Sequence, residues 1–211
     1  MARILITSGP TRQYIDPVRY LTNASSGRMG KALAEAALEL GHEVIIVSGP
    51  VDVTYPGSVQ VIEVVSTEDM LAACQKVFPS CDGLIGVAAP SDYRPVKVAP
   101  SKIAKTGEPL ELLLVETADV VATLGATKSS QWLVGFALET EDHRLRALAK
   151  LEKKHCDLMV LNGPEAMHSL SNHVEIMTRD GQVIETLSGR KEDVARGIFA
   201  VIQSRLIDKA Q

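Results

Sequence analysis

Three stretches of this 211-residue chain hold side chains suited to phosphate and carboxylate chemistry. The first is Thr22-Asn23-Ala24-Ser25-Ser26-Gly27-Arg28-Met29-Gly30, which opens a helical pattern. Ser25, Ser26 and Gly27 offer hydroxyls and backbone N–H groups at a helix N-terminus, where unpaired donors and the helix dipole favour an anion. Gly27 also permits a positive φ or close approach of a ligand. The nearby Arg19 and Arg28 point to phosphate; the simpler alternative is a serine N-cap on a helix packed through Gly30. The stretch is not a Walker A loop. Gly9 is followed by Pro10, Thr11 and Arg12, so the G-x-G-x-x-G dinucleotide fingerprint is missing too.

The second stretch runs from Ala88-Ala89-Pro90-Ser91-Asp92-Tyr93-Arg94 to Ser101-Lys102-Ile103-Ala104-Lys105. Asp92 follows a strand pattern and supplies an oxygen ligand for Mg²⁺ against a triphosphate. Lys102 and Lys105 lie on a Pro- and Gly-flanked segment that can close over phosphates. Composition alone slightly favours a solvated basic loop with an aspartate turn cap. The third stretch is the polar loop between Asn162 and Asn172, with Asn162 read as an Asx turn. Phe136, at a strand end, suits either the core or a base pocket. His42, His143, His155, His168 and His173 show no metal spacing and read as ordinary surface or loop residues. Lys150, Lys153 and Lys154 read as a solvated helix face. Cys74, Cys81 and Cys156 form no C-x-x-C pair, which fits a reducing compartment and packing roles.

Strand and helix patterns alternate around these stretches. Strands are expected at Ile4–Thr7, Glu43–Val47, Val59–Val65, Gly83–Ala89, Leu110–Val115, Gln131–Ala137 and Asp157–Leu161. Helices are expected at Met29–Leu40, Thr67–Val77 (with Thr67 as N-cap), Ala118–Gly125, Glu141–Lys154 and Arg190–Leu206. Residues 10–27 and 90–109 read as long loops. Asp180-Gly181 between two apolar runs signals a hairpin. The expected fold is α/β: one Rossmann-like domain over residues 1–211, with a doubly wound, mostly parallel sheet and a late antiparallel hairpin. All three long loops then leave the C-terminal ends of the strands, around one crevice. With 45% hydrophobic and 23% charged residues the chain is globular, and its net charge of −4 argues against non-specific nucleic-acid binding. No 18-residue apolar run marks a membrane helix, and the N-terminus enters a strand at once rather than a signal peptide. A soluble cytoplasmic protein is expected.

Together these motifs resemble the phosphopantothenoylcysteine synthetase family. The matching stretches are Ile6-Thr7-Ser8-Gly9-Pro10-Thr11-Arg12, Asp16-Pro17-Val18-Arg19-Tyr20-Leu21-Thr22-Asn23, Ser25 to Gly30, Val47-Ser48-Gly49-Pro50, Ala88-Ala89 with Asp92-Tyr93-Arg94, Ala99 to Ile103, and Val134-Gly135-Phe136 with Glu139-Thr140. The resemblance implies a ligase that joins 4′-phosphopantothenate to L-cysteine with a nucleoside triphosphate, CTP in most bacterial members, through an acyl-cytidylate. It implies Asn23 as the residue handling the acyl intermediate, Arg19 as an acyl-substrate contact, Lys102 on a closing flap and Asp92 on the Mg²⁺ side. Gly9, Ser25, Ser26, Gly27, Ala89, Lys105 and Phe136 fall to the nucleotide and Ala88 to the substrate. A homodimer is implied, as is association with a flavin-dependent decarboxylase, with no nucleic-acid or membrane partner. The chain departs from the family pattern at Ala104 in the flap, at Pro90-Ser91, and at Gly163-Pro164 after Asn162. Two other readings share the fold class. An NAD(P)-dependent reductase calls for the missing glycine fingerprint, and a silent nucleotide-binding subunit calls for binding without turnover.

Overall fold

A computed structural model describes residues 1–138, 143–162 and 171–208. Its centre is an eight-stranded sheet. Six strands are parallel: β1 (Arg3–Ser8), β4 (Glu43–Ser48), β5 (Gln60–Glu63), β6 (Gly83–Gly86), β9 (Trp132–Leu138) and β10 (Leu158–Asn162). Two antiparallel strands, β11 (Ser171–Thr178) and β12 (Val183–Arg190), finish one edge. The order is β12-β11-β10-β9-β6-β1-β4-β5. The chain thus winds outward from β1 in both directions, and the sheet has its switch point between β1 and β6, where ligands sit beyond the carboxyl ends of such strands.

Two hydrophobic layers cover the sheet. Helices α1 (Arg28–Glu39) and α5 (Lys191–Ile202) pack on one face around Leu33, Ile46, Val134 and Phe199. Helices α2 (Thr67–Val77), α3 (Val120–Thr127) and α4 (His143–Lys153) pack on the other around Met70, Leu84, Leu133 and Leu151. The continuous apolar runs Ile4–Ile6 and Val44–Val47 are buried because helices cover both faces of a parallel sheet.

The stretches expected as loops contain strands. Within residues 10–27, β2 (Arg12–Tyr14) and β3 (Tyr20–Thr22) form an antiparallel hairpin, and Tyr14 meets Tyr20 edge-on at 5.3 Å. Within the second stretch, β7 (Tyr93–Pro95) pairs with β8 (Leu114–Glu116). The strand expected at Leu110–Val115 is therefore confined to its last residues and runs on to Glu116. The strand expected at Gly83–Ala89 ends at Gly86, although Ala89 still bridges to Pro10. His42, expected at the surface, is buried. Its Nδ1 accepts from the Ala2 N–H at 3.0 Å and its Nε2 lies 2.7 Å from Gln203 Oε1, tying the N-terminus to the π-helical turn Gln203–Ile207.

The N-cap of α2 is Ser66 rather than Thr67. Ser66 Oγ accepts from the Asp69 N–H at 3.0 Å and Asp69 Oδ2 accepts from the Ser66 N–H at 2.9 Å, a reciprocal capping box. Thr67 instead turns inward, and its hydroxyl lies 2.8 Å from that of Thr11. Ser66→Ala is expected to cost about 1 kcal/mol, or roughly 2–4 °C of thermal midpoint for a domain of this size. Thermal unfolding followed by circular dichroism checks this, and an unchanged midpoint would remove the cap's contribution.

Candidate active site

The crevice forms where β1 and β6 diverge. Gly9 turns the chain out of β1 with φ +74°, and its carbonyl accepts the Ala89 N–H at 2.9 Å, stitching the first two stretches together. Helix α1 starts beyond them at Gly27, which holds φ +72°. No side chain caps this helix, so the serine N-cap alternative does not hold, and the first-turn N–H groups keep their capacity for an anion. Four hydroxyl and carbonyl groups fix the turn in place. Ser48 Oγ lies 2.8 Å from the Tyr55 hydroxyl, which donates to Ser8 Oγ at 2.9 Å, and Ser8 Oγ donates to the Gly27 carbonyl at 3.3 Å. Gly30 lets the helix sit against this relay, since a Cβ there would fall 2.2 Å from Ser8 Oγ.

A cavity of about 570 Å³ opens over that turn. Of the residues expected from sequence, it brings together Asn23, Ser25, Ser26, Gly27, Ala88, Ala89, Asp92 and Phe136. Arg28, Lys150 and Lys191 also border it, against the single carboxylate of Asp92, so the lining is cationic. Lys191 donates to Asn172 Oδ1 at 2.8 Å. Burial, reinforced by repulsion from Arg28, holds the Lys191 ammonium below the ordinary lysine range, a cost that a bound anion relieves. Asn162 borders the same cavity, and its Oδ1 is buried without a hydrogen-bond partner. Such an atom is costly to leave unpaired, and an Asx turn would have paired it, so the Asx-turn reading does not hold.

A second pocket of about 280 Å³ shares Ala88, Pro90, Asp92 and Phe136 with the first. Val120, Val121 and Thr117 line it beside Lys153 and Lys154, and Lys154 pairs with Asp119 at 3.1 Å. The charges nearly balance there and the walls are partly apolar, which suits a heterocycle better than a phosphate. Lys150 therefore borders the first pocket and Lys153 and Lys154 the second; Lys150 and Lys154 are half-buried, while Lys153 is exposed as its spacing suggested.

Asn23 Nδ2 donates to the Pro90 carbonyl at 2.9 Å and toward the Ala89 carbonyl at 3.4 Å, which fixes the amide at the cavity rim. Arg19, Lys102, Lys105 and Gly9 stand outside the cavity lining. Arg19 is engaged with Asp16 at 3.0 Å and with the Ile103 carbonyl at 3.1 Å, while Lys102 and Lys105 are exposed. Gly9 acts through the turn it makes. Glu139, Thr140, His168, Gly163 and Pro164 lie outside the described residues. Among the described residues no three His, Cys, Asp or Glu side chains converge as a metal cluster. All three cysteines are buried, and burial pushes the Cys74 and Cys156 thiols up to about 12, which leaves them unreactive as nucleophiles.

The crevice at the switch point of this doubly wound α/β sheet has a cationic lining and an uncapped helix start, an arrangement that favours an anion. Residues 1–206 match the DNA/pantothenate metabolism flavoprotein C-terminal domain, and the chain belongs to that family. It is 42% identical over 205 residues to the coenzyme A biosynthesis bifunctional protein CoaBC of Bacillus subtilis, covering 95% of this chain and 50% of that protein. The chain thus spans about half the length of this curated relative. The crystal structure of the C-terminal domain of a coenzyme A biosynthesis bifunctional protein CoaBC matches with a TM-score of 0.83 at 41% identity, covering 98% of each chain. A Cab2 mutant in complex with phosphopantothenate-cysteine shares the fold, with a TM-score of 0.78 at 15% identity over 100% of this chain and 89% of that one.

Proposed function

We propose that this chain is a phosphopantothenate–cysteine ligase of coenzyme A biosynthesis that activates 4′-phosphopantothenate with CTP, in preference to ATP, and transfers the acyl group to L-cysteine. The observation that carries the reading is the junction of the two pockets. A cationic cavity suited to phosphates meets one with three carboxylates against two lysines and partly apolar walls, suited to a base, with Asp92 and Phe136 at the boundary and Asn23 on the rim.

In the first half-reaction a substrate carboxylate oxygen attacks the α-phosphorus, and the bond to pyrophosphate breaks. Arg28, Lys150 and Lys191 border the space where the phosphates would lie, so cations stand beside the departing charge. In the second, the cysteine amine attacks the acyl carbon, CMP leaves with the acyl–phosphate oxygen, and the amine loses a proton. Asn23, held by two carbonyls, is preorganised at the rim to orient the acyl group. Mg²⁺ bound with a triphosphate takes one or two carboxylates and otherwise water and phosphate oxygens, so the lone Asp92 fits as its protein ligand. Bound there, the ion supplies charge neutralisation on the phosphates.

A homodimer belongs to the same proposal. Val96, Val98, Leu110, Leu112 and Leu113 are all exposed on the arm between β7 and β8, and a second copy would cover them. Cytoplasmic residence is supported by three free cysteines, and no helix among the described residues is long and apolar enough to cross a membrane. Association with a flavin-dependent decarboxylase, fused or separate, completes the proposal.

The test is pyrophosphate release from 4′-phosphopantothenate, Mg²⁺ and either CTP or ATP, with and without L-cysteine. Release with CTP, and formation of CMP and amide only when cysteine is present, is expected. Release with ATP alone would overturn the nucleotide assignment. No release with either nucleotide, from folded protein, would leave a silent nucleotide-binding subunit.

A further inference from the structure

The segment that carries Lys102 leaves the sheet at β7 and returns at β8, and the Val96 N–H donates to the Leu113 carbonyl at 3.0 Å to close its root. Beyond that root little within one copy of the chain holds it. Residues 104–116 are all exposed. Among the described residues, three hydrogen bonds join residues 97–112 to the rest of the chain. The Ala99 N–H donates to the Ile15 carbonyl at 2.9 Å, the Ile103 N–H to Asp16 Oδ2 at 3.2 Å, and Arg19 Nη1 to the Ile103 carbonyl at 3.1 Å. All three end on the turn between β2 and β3.

Asp16 organises that turn. Its side chain has no solvent exposure. One carboxylate oxygen accepts the Val18 and Arg19 N–H groups, each at 2.8 Å, and the other accepts Arg19 Nη1 at 3.0 Å along with the Ile103 N–H. A buried carboxylate is tolerated only when its lone pairs are filled in this way. Burial opposes its ionisation, but the N–H groups of Val18, Ile103 and Arg19 and the Arg19 charge outweigh it and hold the carboxyl below the usual range. The same turn feeds β3, which delivers Asn23 to the cavity rim one residue after Thr22. The two residues with separate catalytic assignments, Lys102 and Asn23, therefore hang from one buried anion.

We propose that Asp16 is a positioning residue whose carboxylate, through Ile103 and Arg19, fixes the flap and so sets Lys102 relative to Asn23. The catalytic part of this inference rests on the ligase reading; the mechanical part does not. Asp16→Asn is the informative change. Its retained oxygen can still close the turn through Val18 and Arg19, but its amide turns a donor toward the Ile103 N–H and the Arg19 guanidinium.

The mechanical test is limited trypsin digestion of the whole chain. Cleavage after Lys102 and Lys105 is expected to run at least tenfold faster in Asp16→Asn than in the parent, with cleavage elsewhere unchanged. Equal rates at these two lysines would overturn the anchor. If Asp16→Asn fails to fold, Arg19→Gln removes the guanidinium from the Ile103 carbonyl while leaving the carboxylate in its turn, and the same acceleration is expected. The catalytic test is a double-mutant cycle on pyrophosphate release. Asp16→Asn is expected to lower kcat about tenfold and to have no further effect in a Lys102→Gln background. Full additivity of the two changes would show that Asp16 does not act through Lys102. Absence of turnover in the parent defeats the ligase reading and leaves the digestion to decide the anchor.

Discussion

Replacing Asn23 with aspartate is expected to keep pyrophosphate release within about tenfold of the parent rate while lowering amide formation by roughly 10²-fold, the order of cost when a positioning group is displaced by about 1 Å. The asymmetry follows from where the charges lie. Activation draws on Arg28, Lys150, Lys191 and the uncapped start of α1, none of which the substitution touches. Amide formation passes through a tetrahedral centre on the acyl carbon, whose oxygen gathers negative charge. At present the Asn23 amide donates to Pro90 and Ala89 and stands at the rim as a neutral group. A carboxylate in its place faces two carbonyl oxygens with no hydrogen to offer, so it loses its anchor and repels the charge it should stabilise. Rapid-quench measurement of pyrophosphate and amide from one reaction separates the two steps. The parent is expected to form them in equal amounts, and Asn23→Asp to form pyrophosphate in large excess during the first turnover. A one-to-one ratio in the variant would remove Asn23 from the second half-reaction.

The parts of the structure that were legible in sequence are those whose signal is local. β1, α1 and β4 follow from an apolar run, a 3.6-residue apolar stripe ending at Gly41, and a β-branched run, each long enough to bury a face. The turn that opens α1 was legible because Ser25-Ser26-Gly27 precedes that stripe directly. Hairpins β2–β3 and β7–β8 were not, because three-residue strands such as Arg12-Gln13-Tyr14 carry no alternation to read, and the Arg12 N–H is satisfied only by the distant Val65 carbonyl. The lysines of α4 show the same limit in the site itself. Charge on an amphipathic helix looks solvated until the sheet order, with β9 beside β6 and β10 beside β9, brings the helix end to the pocket that Thr7 and Gly86 line. Asn162 likewise looks like a turn residue until its oxygen is found buried and unpaired. Arg19 was legible as a cation near the site, but its engagement with Asp16 and Ile103 depends on a contact 84 residues away in sequence.

Gly49→Ala is expected to be the most damaging single-methyl change in the chain, costing about 3 kcal/mol or more and lowering the thermal midpoint by roughly 6–12 °C. A Cβ at Gly49 would lie 1.6 Å from the Pro10 carbonyl oxygen and 2.7 Å from its carbon. Both are backbone atoms, so no rotamer change relieves the overlap. Gly49 cannot retreat freely either, because its N–H donates to the Ser8 carbonyl at 2.9 Å. The strain must pass to Pro10, which bridges to Ala89 across the switch point, and from there to the crevice wall that Ala88 and Ala89 form. Stability and nucleotide binding should therefore fall together, unlike the Ser66→Ala change, which touches neither Pro10 nor the cavity. Gly57→Ala is the matched control. Nothing lies within 4 Å of a Cβ there, so its stability should stay within about 0.5 kcal/mol of the parent. Differential scanning calorimetry with and without nucleotide reads both quantities, and a Gly49→Ala protein as stable as Gly57→Ala would show that β4 and the Pro10 turn are not in contact. The close approach at Gly49 sets how far apart β1 and β4 can open beyond their carboxyl ends. The same contact holds Pro10, and through its bridge Ala89, against the crevice wall.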